Sequence, residues 1–561
     1  MPRGLLSPEP PVSAQASSAG GRDDITHQRR RVLCIFPPYQ RSFGTFHYAY
    51  SLLGGVRAFM PPQGLLVIAA YLPKAWEVRF VDENIRAATP ADYRWADVVL
   101  ASGMHIQRSH LQQINALAHQ AGKLTVLGGP SVSAAPEEYP EFDVLHIGEL
   151  GDATDEIIAY LDQHVERPAQ QLRFETKDRL PLHAFPVPAY HLVDLRRYFL
   201  ANVQFSSGCP YRCEFCDIPS LYGRNPRLKT PAQVLAELDA MLATGNPGAI
   251  YFVDDNFVGN RRAVSELLPE LIAWQQRRGY PVSFACEATL NLAQSPQLLA
   301  MMREAHFHTV FCGVETPEPH ALRAMAKEHN LRMPIIDAVR TLNAYGMEVV
   351  AGIILGLDTD TPETAERILA FVQHSQIPML TINVLYALPK TPLWHRLKAA
   401  GRLVDEAARE SNIEFLMPYD EVIEMWRRCI TTAYEPEYLY QRFAYQGVHT
   451  YPHRLTVPNS PTRTSWANLR KGLTLLTNLV LRVGLFGTYR RAFWSMALPA
   501  LKSGDIARLL QVGAMAHHLI RFTRDCVHRE ESASFYSQKD RSSAARFRRS
   551  RAGSGEASLG N

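Results

Sequence analysis

No uncharged apolar run in the sequence reaches the roughly 18 residues that a membrane-spanning helix needs. The first thirty residues, rich in Pro, Ser, Ala, Gly and Arg, lack the apolar segment of a signal peptide and read as a disordered leader. Cysteine is sparse, eight in 561 residues, and does not show the regular spacing of a secreted disulfide scaffold. The dinucleotide fingerprint G-x-G-x-x-G is missing, which disfavours a nicotinamide cofactor. A large excess of charge is missing as well: 59 Lys and Arg stand against 55 Asp and Glu, and a net +4 in so long a chain does not point to nucleic acid. What remains is a globular chain of ordinary composition, 46% apolar and 20% charged, in a reducing cytoplasm. It is too long for one core, so two or three domains are expected.

Short apolar runs alternate with helical patterns from the strand at Val32–Phe36 to a helix ending near Leu161. That alternation predicts a doubly wound α/β domain over 31–165, with parallel strands near 78–81, 97–101, 124–127 and 144–147. The segment 166–198, Pro-rich between Arg179 and Pro188, reads as a linker. Six further β-α repeats over 199–404 predict a partial or full (β/α) barrel, whose function belongs on the loops after the strand C-termini. Residues 405–530 read as helical and 531–561 as a disordered tail.

Three of the eight cysteines crowd into Cys209-Pro-Tyr-Arg-Cys213-Glu-Phe-Cys216, directly after the first barrel strand. Thiolates are the ligands of iron–sulfur clusters, and three of them leave one iron of a 4Fe–4S cube open. A structural zinc site would want a fourth ligand, which no nearby Cys or His supplies within this loop. The C-x3-C-x-aromatic-C spacing resembles the radical S-adenosylmethionine (SAM) superfamily. That resemblance implies that the open iron chelates SAM, whose reductive cleavage gives methionine and a 5′-deoxyadenosyl radical. It also implies that Phe215 lies beside the SAM adenine, and that Asp254 or Asp255 of Asp254-Asp255-Asn256 holds the SAM amino nitrogen. A pair of acids there could equally cap the next helix. Gly313-Val-Glu315 matches a ribose- or amino-contact position of the superfamily, Gly352-Ile-Ile354-Leu-Gly356 its fifth-strand pattern, and Pro389-Lys-Thr391-Pro392 its sixth-strand turn.

In a doubly wound domain the ligand crevice lies beyond the strand C-termini. Ser102-Gly-Met104-His105 and Gly128-Gly129 fall there, although an isolated glycine pair can simply make a tight turn. A flavodoxin-like domain ahead of such a barrel resembles the cobalamin-binding radical SAM class, supported by Pro62-Gln-Gly64-Leu65, Val81-Asp-Glu-Asn84 and Gly148-Glu149. The D-x-H-x-x-G loop that ligates cobalt in other cobalamin proteins is missing, since Thr45 stands where its Asp belongs ahead of His47. Base-off cobalamin is therefore expected. His105 or Met104 could lie under the cobalt, or His105 could be a hydrogen-bonded structural residue.

Phe43-Gly-Thr-Phe46 through Phe59-Met-Pro-Pro62, Val253-Asp-Asp-Asn-Phe257 and Tyr434-Glu-Pro-Glu-Tyr-Leu-Tyr440 narrow the resemblance to the hopanoid C-2 methylase family. The implied reaction is methylation of an unactivated ring-A carbon of a lipid, by hydrogen abstraction and methyl transfer from methylcobalamin. A saturated carbon has neither an acidic proton nor nucleophilic electrons, so polar transfer from SAM is closed to it. The implied partners are a hopanoid substrate and a reducing protein such as a flavodoxin or ferredoxin, with no nucleic acid. Residues 467–530 hold ten Lys and Arg against three Asp and Glu, interleaved with apolar runs, which suits either helices lying on the inner face of a membrane or packed helices with solvated faces. Another cobalamin radical SAM enzyme, such as a C-3 methylase, other lipid methylase or ring-forming enzyme, is the nearest alternative. A tRNA methylthiotransferase would need a second N-terminal cysteine triplet, where only Cys34 exists, and a cobalamin sensor would not need an open iron.

Overall fold

A computed structural model describes residues 27–406, 409–457, 466–528, 531–532 and 536–537. Most of the expected leader and tail lies outside the described residues. Of the leader, 27–30 are described, and the Gln28 amide donates to Asp162 Oδ1 at 2.9 Å. Of the tail, Glu531, Ser532 and Ser537 are buried against the rest of the chain, which corrects the expectation of disorder at those positions.

The first sheet contains six parallel strands, β1 (Arg31–Phe36), β2 (Glu77–Asp82), β3 (Val98–Ser102), β4 (Leu124–Gly128), β5 (Val144–Ile147) and β6 (Leu172–Glu175), in the order β2-β1-β3-β4-β5-β6. The central strands are almost wholly buried, as a sheet covered on both faces requires of uninterrupted apolar runs such as Val-Leu-Cys-Ile-Phe. Helices Gln63–Tyr71 and Asp152–Gln163 contribute Leu65, Ala69, Ile157 and Leu161 to one face. Helices Pro90–Trp95, Arg108–Gln120 and Pro130–Ala134 contribute Tyr93, Leu111, Ile114 and Val132 to the other. The order is that of flavodoxin, with its switch point between β1 and β3. Strand β6 corrects the expected linker, because Leu172–Glu175 pairs with β5. As an edge strand with alternating burial it carries no apolar run to announce it.

The second sheet runs β14-β13-β12-β11-β10-β7, with β7 (Ala201–Val203), β10 (Ala249–Phe252), β11 (Ser283–Glu287), β12 (Phe307–Glu315), β13 (Glu348–Leu355) and β14 (Met379–Val384) all parallel. Its end strands β7 and β14 do not pair with each other among the described residues, so the barrel is partial. Two short strands, β8 (Ser206–Ser207) and β9 (Arg227–Leu228), pair antiparallel outside it. Helix starts follow local chemistry. Thr230 caps helix Pro231–Thr244 with a capping box to Gln233, and Thr391 caps helix Pro392–Ala399, so the P-x-T-P turn is an N-cap followed by Pro at the first helical position.

After the barrel come helices Tyr419–Ala433, Pro436–His449, Trp466–Leu479 (continued by a π-turn Val480–Leu485), Arg490–Lys502 and Ile506–Val527. One apolar core runs without a break from the barrel strands into these helices. The buried His518 joins the last helix to the 43–50 segment: its Nδ1 accepts from the Tyr48 amide at 3.3 Å, and its Nε2 lies 3.1 Å from the Phe43 carbonyl.

Candidate active site

The cysteine loop leaves β7 and is closed at its base by the β8–β9 pair. Gly208 takes φ +100°, and a Cβ there would sit 2.9 Å from the Gly223 carbonyl, so only glycine fits where the loop turns. The Cys209 amide donates to that carbonyl at 3.2 Å, and the Glu214 amide donates to Met325 O at 3.0 Å. The loop is thus held at both ends. Cys209, Cys213 and Cys216 are free and half-buried, whereas the other five cysteines are buried. Burial pushes all three thiols up; Lys327 pulls Cys209 and Cys213 back down, while Asp217 pushes Cys216 further up. Iron binding would displace these protons. Among the described residues no three His, Cys, Asp or Glu converge on a single ion.

Asp254 and Asp255 part company in space. Asp254 is buried and accepts from the Phe205 amide (2.7 Å), the Ser206 amide (3.0 Å) and Ser206 Oγ (2.8 Å). Its carboxylate is occupied with the chain that leads into the cysteine loop. Asp255 stays partly open, accepts from the Gly208 amide at 2.6 Å, and lies close enough to Cys209 to raise its thiol. Glu315 sits at a β-bulge with φ +65° and is ion-paired with the buried Lys327. Lys327 Nζ is 5.5 Å from the Phe215 ring centroid. Phe215 walls a cavity of about 290 Å³ with Gly356, Leu357, Leu385 and Leu393, at the ends of β13 and β14. Ile354 lies on β13 packed against the core, and Pro389 precedes Lys390, whose φ is +64°.

A second cavity of about 300 Å³ opens at the C-terminal edge of the first sheet. Its deep wall is apolar, with Leu65, Ile68, Leu100, Val126, Ile157 and Leu161. Its rim carries Ser102, Gly128, Gly129, Gly148 and Glu149, and its far side is made by Ser207, Leu221 and Tyr222 of the cysteine loop. Two observations test whether a cobalamin fits. Gln63 is buried and lines the cavity, yet neither its Nε2 nor its Oε1 has a partner among the described residues. Gly64 also lines it, and a Cβ there would meet nothing within 4 Å. An orphaned amide and open room in an otherwise apolar pocket are what a large ligand with polar edges would fill. Met104 and His105 do not line this cavity. His105 Nδ1 is 3.4 Å from Ser131 Oγ, and burial pushes its pKa down to about 4.

Sequence reasoning missed His146, which lines the cavity with Nε2 2.8 Å from Thr154 Oγ1, because a lone His in a buried strand has no distinguishing signal. It missed Arg227, which has no motif around it. Arg227 Nη2 donates to Glu149 Oε1 and Oε2 at 2.7 and 2.6 Å, and Arg179 pairs with the same carboxylate at 3.0 Å. Lys390 Nζ donates to the Ser133 carbonyl at 2.7 Å, while Ser133 Oγ bonds the Gly129 carbonyl and the Gly148 amide. These contacts tie the rim of the cobalamin cavity to the cysteine loop and the sixth-strand turn.

The chain matches the B12 binding domain over 52–158, the radical SAM superfamily over 203–372, and a domain of unknown function, DUF4070, over 391–532. Among solved structures it is similar to the cobalamin-dependent SAM radical enzyme OxsB with aqua-cobalamin and SAM bound, with a TM-score of 0.57 and 14% identity over 95% of this chain and 85% of that one. It is also similar to the radical SAM methyltransferase TsrM of Kitasatospora setae, with a TM-score of 0.54 and 15% identity over 89% of this chain and 100% of that one. Fold and site together define a cobalamin-binding radical SAM methyltransferase, whose cofactors are a 4Fe–4S cluster, SAM and cobalamin. A hopanoid C-2 methylase of Rhodopseudomonas palustris is 56% identical over 92% of this chain and 98% of its own length. An uncharacterized methyltransferase of Synechocystis is 34% identical over 89% and 93%. The chain belongs to the hopanoid C-2 methylase family.

Proposed function

We propose that this protein methylates carbon two of ring A of a hopanoid. The observation that carries the proposal is the wall shared by the two cofactor sites: Ser207, Leu221 and Tyr222 of the cysteine loop close the cavity that Gly128, Gly129 and Gln63 open. Such proximity serves a reaction that needs both groups on one substrate carbon, and the family's substrate, known from the Rhodopseudomonas palustris relative, has such a carbon. When bound, the cluster with SAM supplies a hydrogen-abstracting radical and cobalamin supplies the methyl group.

The chain's own residues hold, orient and shield. Cys209, Cys213 and Cys216 would ligate three irons, and Lys327 offsets the negative charge that three thiolates bring into a half-buried loop. Asp255 fixes the Gly208 turn and leaves its carboxylate facing the cluster side, where an ammonium group of SAM would be held. Phe215 offers a ring face in the neighbouring cavity for the adenine. Glu149, Arg227 and Arg179 tie the two sites together, since Arg227 Nη2 donates to both Glu149 oxygens and Arg179 pairs with the same carboxylate from a second direction. An electron must enter from outside, which calls for a flavodoxin- or ferredoxin-type reducing protein, and an insoluble substrate calls for contact with a bilayer.

The test is to express the chain in a hopanoid-producing host that lacks the activity and to analyse its lipids by mass spectrometry and NMR. One added methyl group at carbon two of ring A is expected, and none with Cys209→Ala. A methyl group at carbon three, or on a lipid outside this class, would replace the substrate assignment.

A further inference from the structure

The helix Trp466–Leu479 and the π-turn Val480–Leu485 form one rod. Its inner stripe, Leu475, Leu479 and Val483, is buried, and a Cβ on Gly513 of the last helix would meet Leu479 at 3.1 Å. Two residues out of phase, on the opposite side, a second apolar stripe is left exposed: Leu469 (60%), Leu473 (63%), Leu481 (43%) and Leu485 (52%), ending on Phe486 (81%). Leu469 and Leu473, and Leu481 and Leu485, are each four residues apart, and the exposed Thr477 stands between the two pairs. A soluble helix seldom offers water such a row, because contiguous exposed apolar surface marks a contact site.

The surrounding charge says what the contact is. From Trp466 to Gly504 the chain has Arg470, Lys471, Arg482, Arg490, Arg491 and Lys502, and neither Asp nor Glu. No helix among the described residues is long and apolar enough to cross a membrane. An apolar stripe on a segment whose only charges are cations matches the boundary of a bilayer with anionic headgroups: the side chains enter the acyl region and the cations remain at the phosphates. We propose that this face is the surface by which the protein docks on an anionic lipid bilayer. The inference rests, for its purpose, on the lipid-substrate reading above.

The face is coupled to the site through one segment of chain. Asn478 Nδ2, on the rod, donates to the Leu52 carbonyl at 2.8 Å, and a Cβ on Gly54 would lie 3.6 Å from Thr474. The same segment reaches the barrel, where a Cβ on Gly44 would lie 3.8 Å from Thr381 of β14.

The full-length reconstituted protein is floated with vesicles of phosphatidylcholine alone and of phosphatidylcholine with phosphatidylglycerol. Binding is expected to the anionic vesicles, and Leu473→Glu with Leu485→Glu, or Arg490→Glu with Arg491→Glu, should weaken it roughly tenfold or more. SAM cleavage should be unchanged in both pairs, since neither touches the cofactor sites. Equal flotation of wild type and variants, or no flotation of wild type, overturns the proposal. So does a wild-type dimer that the leucine variants convert to monomer, because a second copy would then cover the face. Detergent-solubilised hopanoid separates the two readings: its methylation should survive in the variants. Loss of methylation in wild type that still binds vesicles would refute the substrate and leave the docking surface standing.

Discussion

Asp254 and Asp255 show how much one step along the chain decides. The first turns inward to three donors from Phe205 and Ser206, and the second turns towards Gly208 and the cluster side. Burial pushes the Asp254 carboxyl up to about 7, against the pull of those donors. A carboxyl raised in the folded state stabilises the fold less as pH climbs from its unfolded value near 4 to about 7. Asp254→Asn should make that slope shallower in cluster-free protein, the remainder coming from Asp255, Glu287 and Asp360, which burial also raises, and comparing thermal midpoints across the window measures it. Gly64 is the residue-scale handle on cobalamin. Leucine there should fill the open room, abolish cobalamin retention and leave iron content intact, whereas Gly64→Ala should be tolerated. His47 bonds Tyr50 at 3.1 Å and His105 lies near Ser131, so neither His47→Ala nor His105→Ala should alter a base-off cobalamin spectrum. Loss of a nitrogen ligand in either variant would assign that histidine to cobalt.

At the scale of elements, the loops tied across the domain boundary matter more than the strands that carry them. Glu149 and Arg227 come from different domains and meet beside both sites. Glu149→Gln keeps the shape and loses the charge. It should raise the ratio of 5′-deoxyadenosine formed to lipid methylated several-fold while SAM cleavage itself persists, because misplacement by about an ångström costs far more at the transfer than at the cleavage. An unchanged ratio would make the pair merely structural. This contact was not legible in the sequence, since an Arg in a loop has no period or neighbour to mark it. Strands β1, β3, β4 and β5 were legible as apolar runs because both faces are buried, and the cysteine loop because its spacing has few alternatives. Strand β6 and the short helix Pro90–Trp95 were not, being brief and half-exposed edges of their domain. Gln63 stood in the sequence only as part of Pro62-Gln-Gly64-Leu65, and its lack of a partner in a buried cavity wall singles it out within that segment.

The whole molecule is a cobalamin domain and a partial barrel that share one cavity wall, with a helical region whose core continues the barrel's own. Each part alone would be ambiguous: the doubly wound sheet could take a nucleotide, and the barrel could cleave SAM for many ends. Their junction suits methyl transfer at a carbon that polar reagents cannot attack, and on the docking proposal the exposed rod would face the bilayer where such a carbon is stored. Feeding cells with methionine deuterated in its methyl group, and analysing the hopanoids, tests that claim most directly. The account predicts a new methyl group at carbon two of ring A that keeps all of its deuterium, because the group passes intact. A methyl group that has lost one deuterium would require a methylene intermediate and would contradict direct transfer.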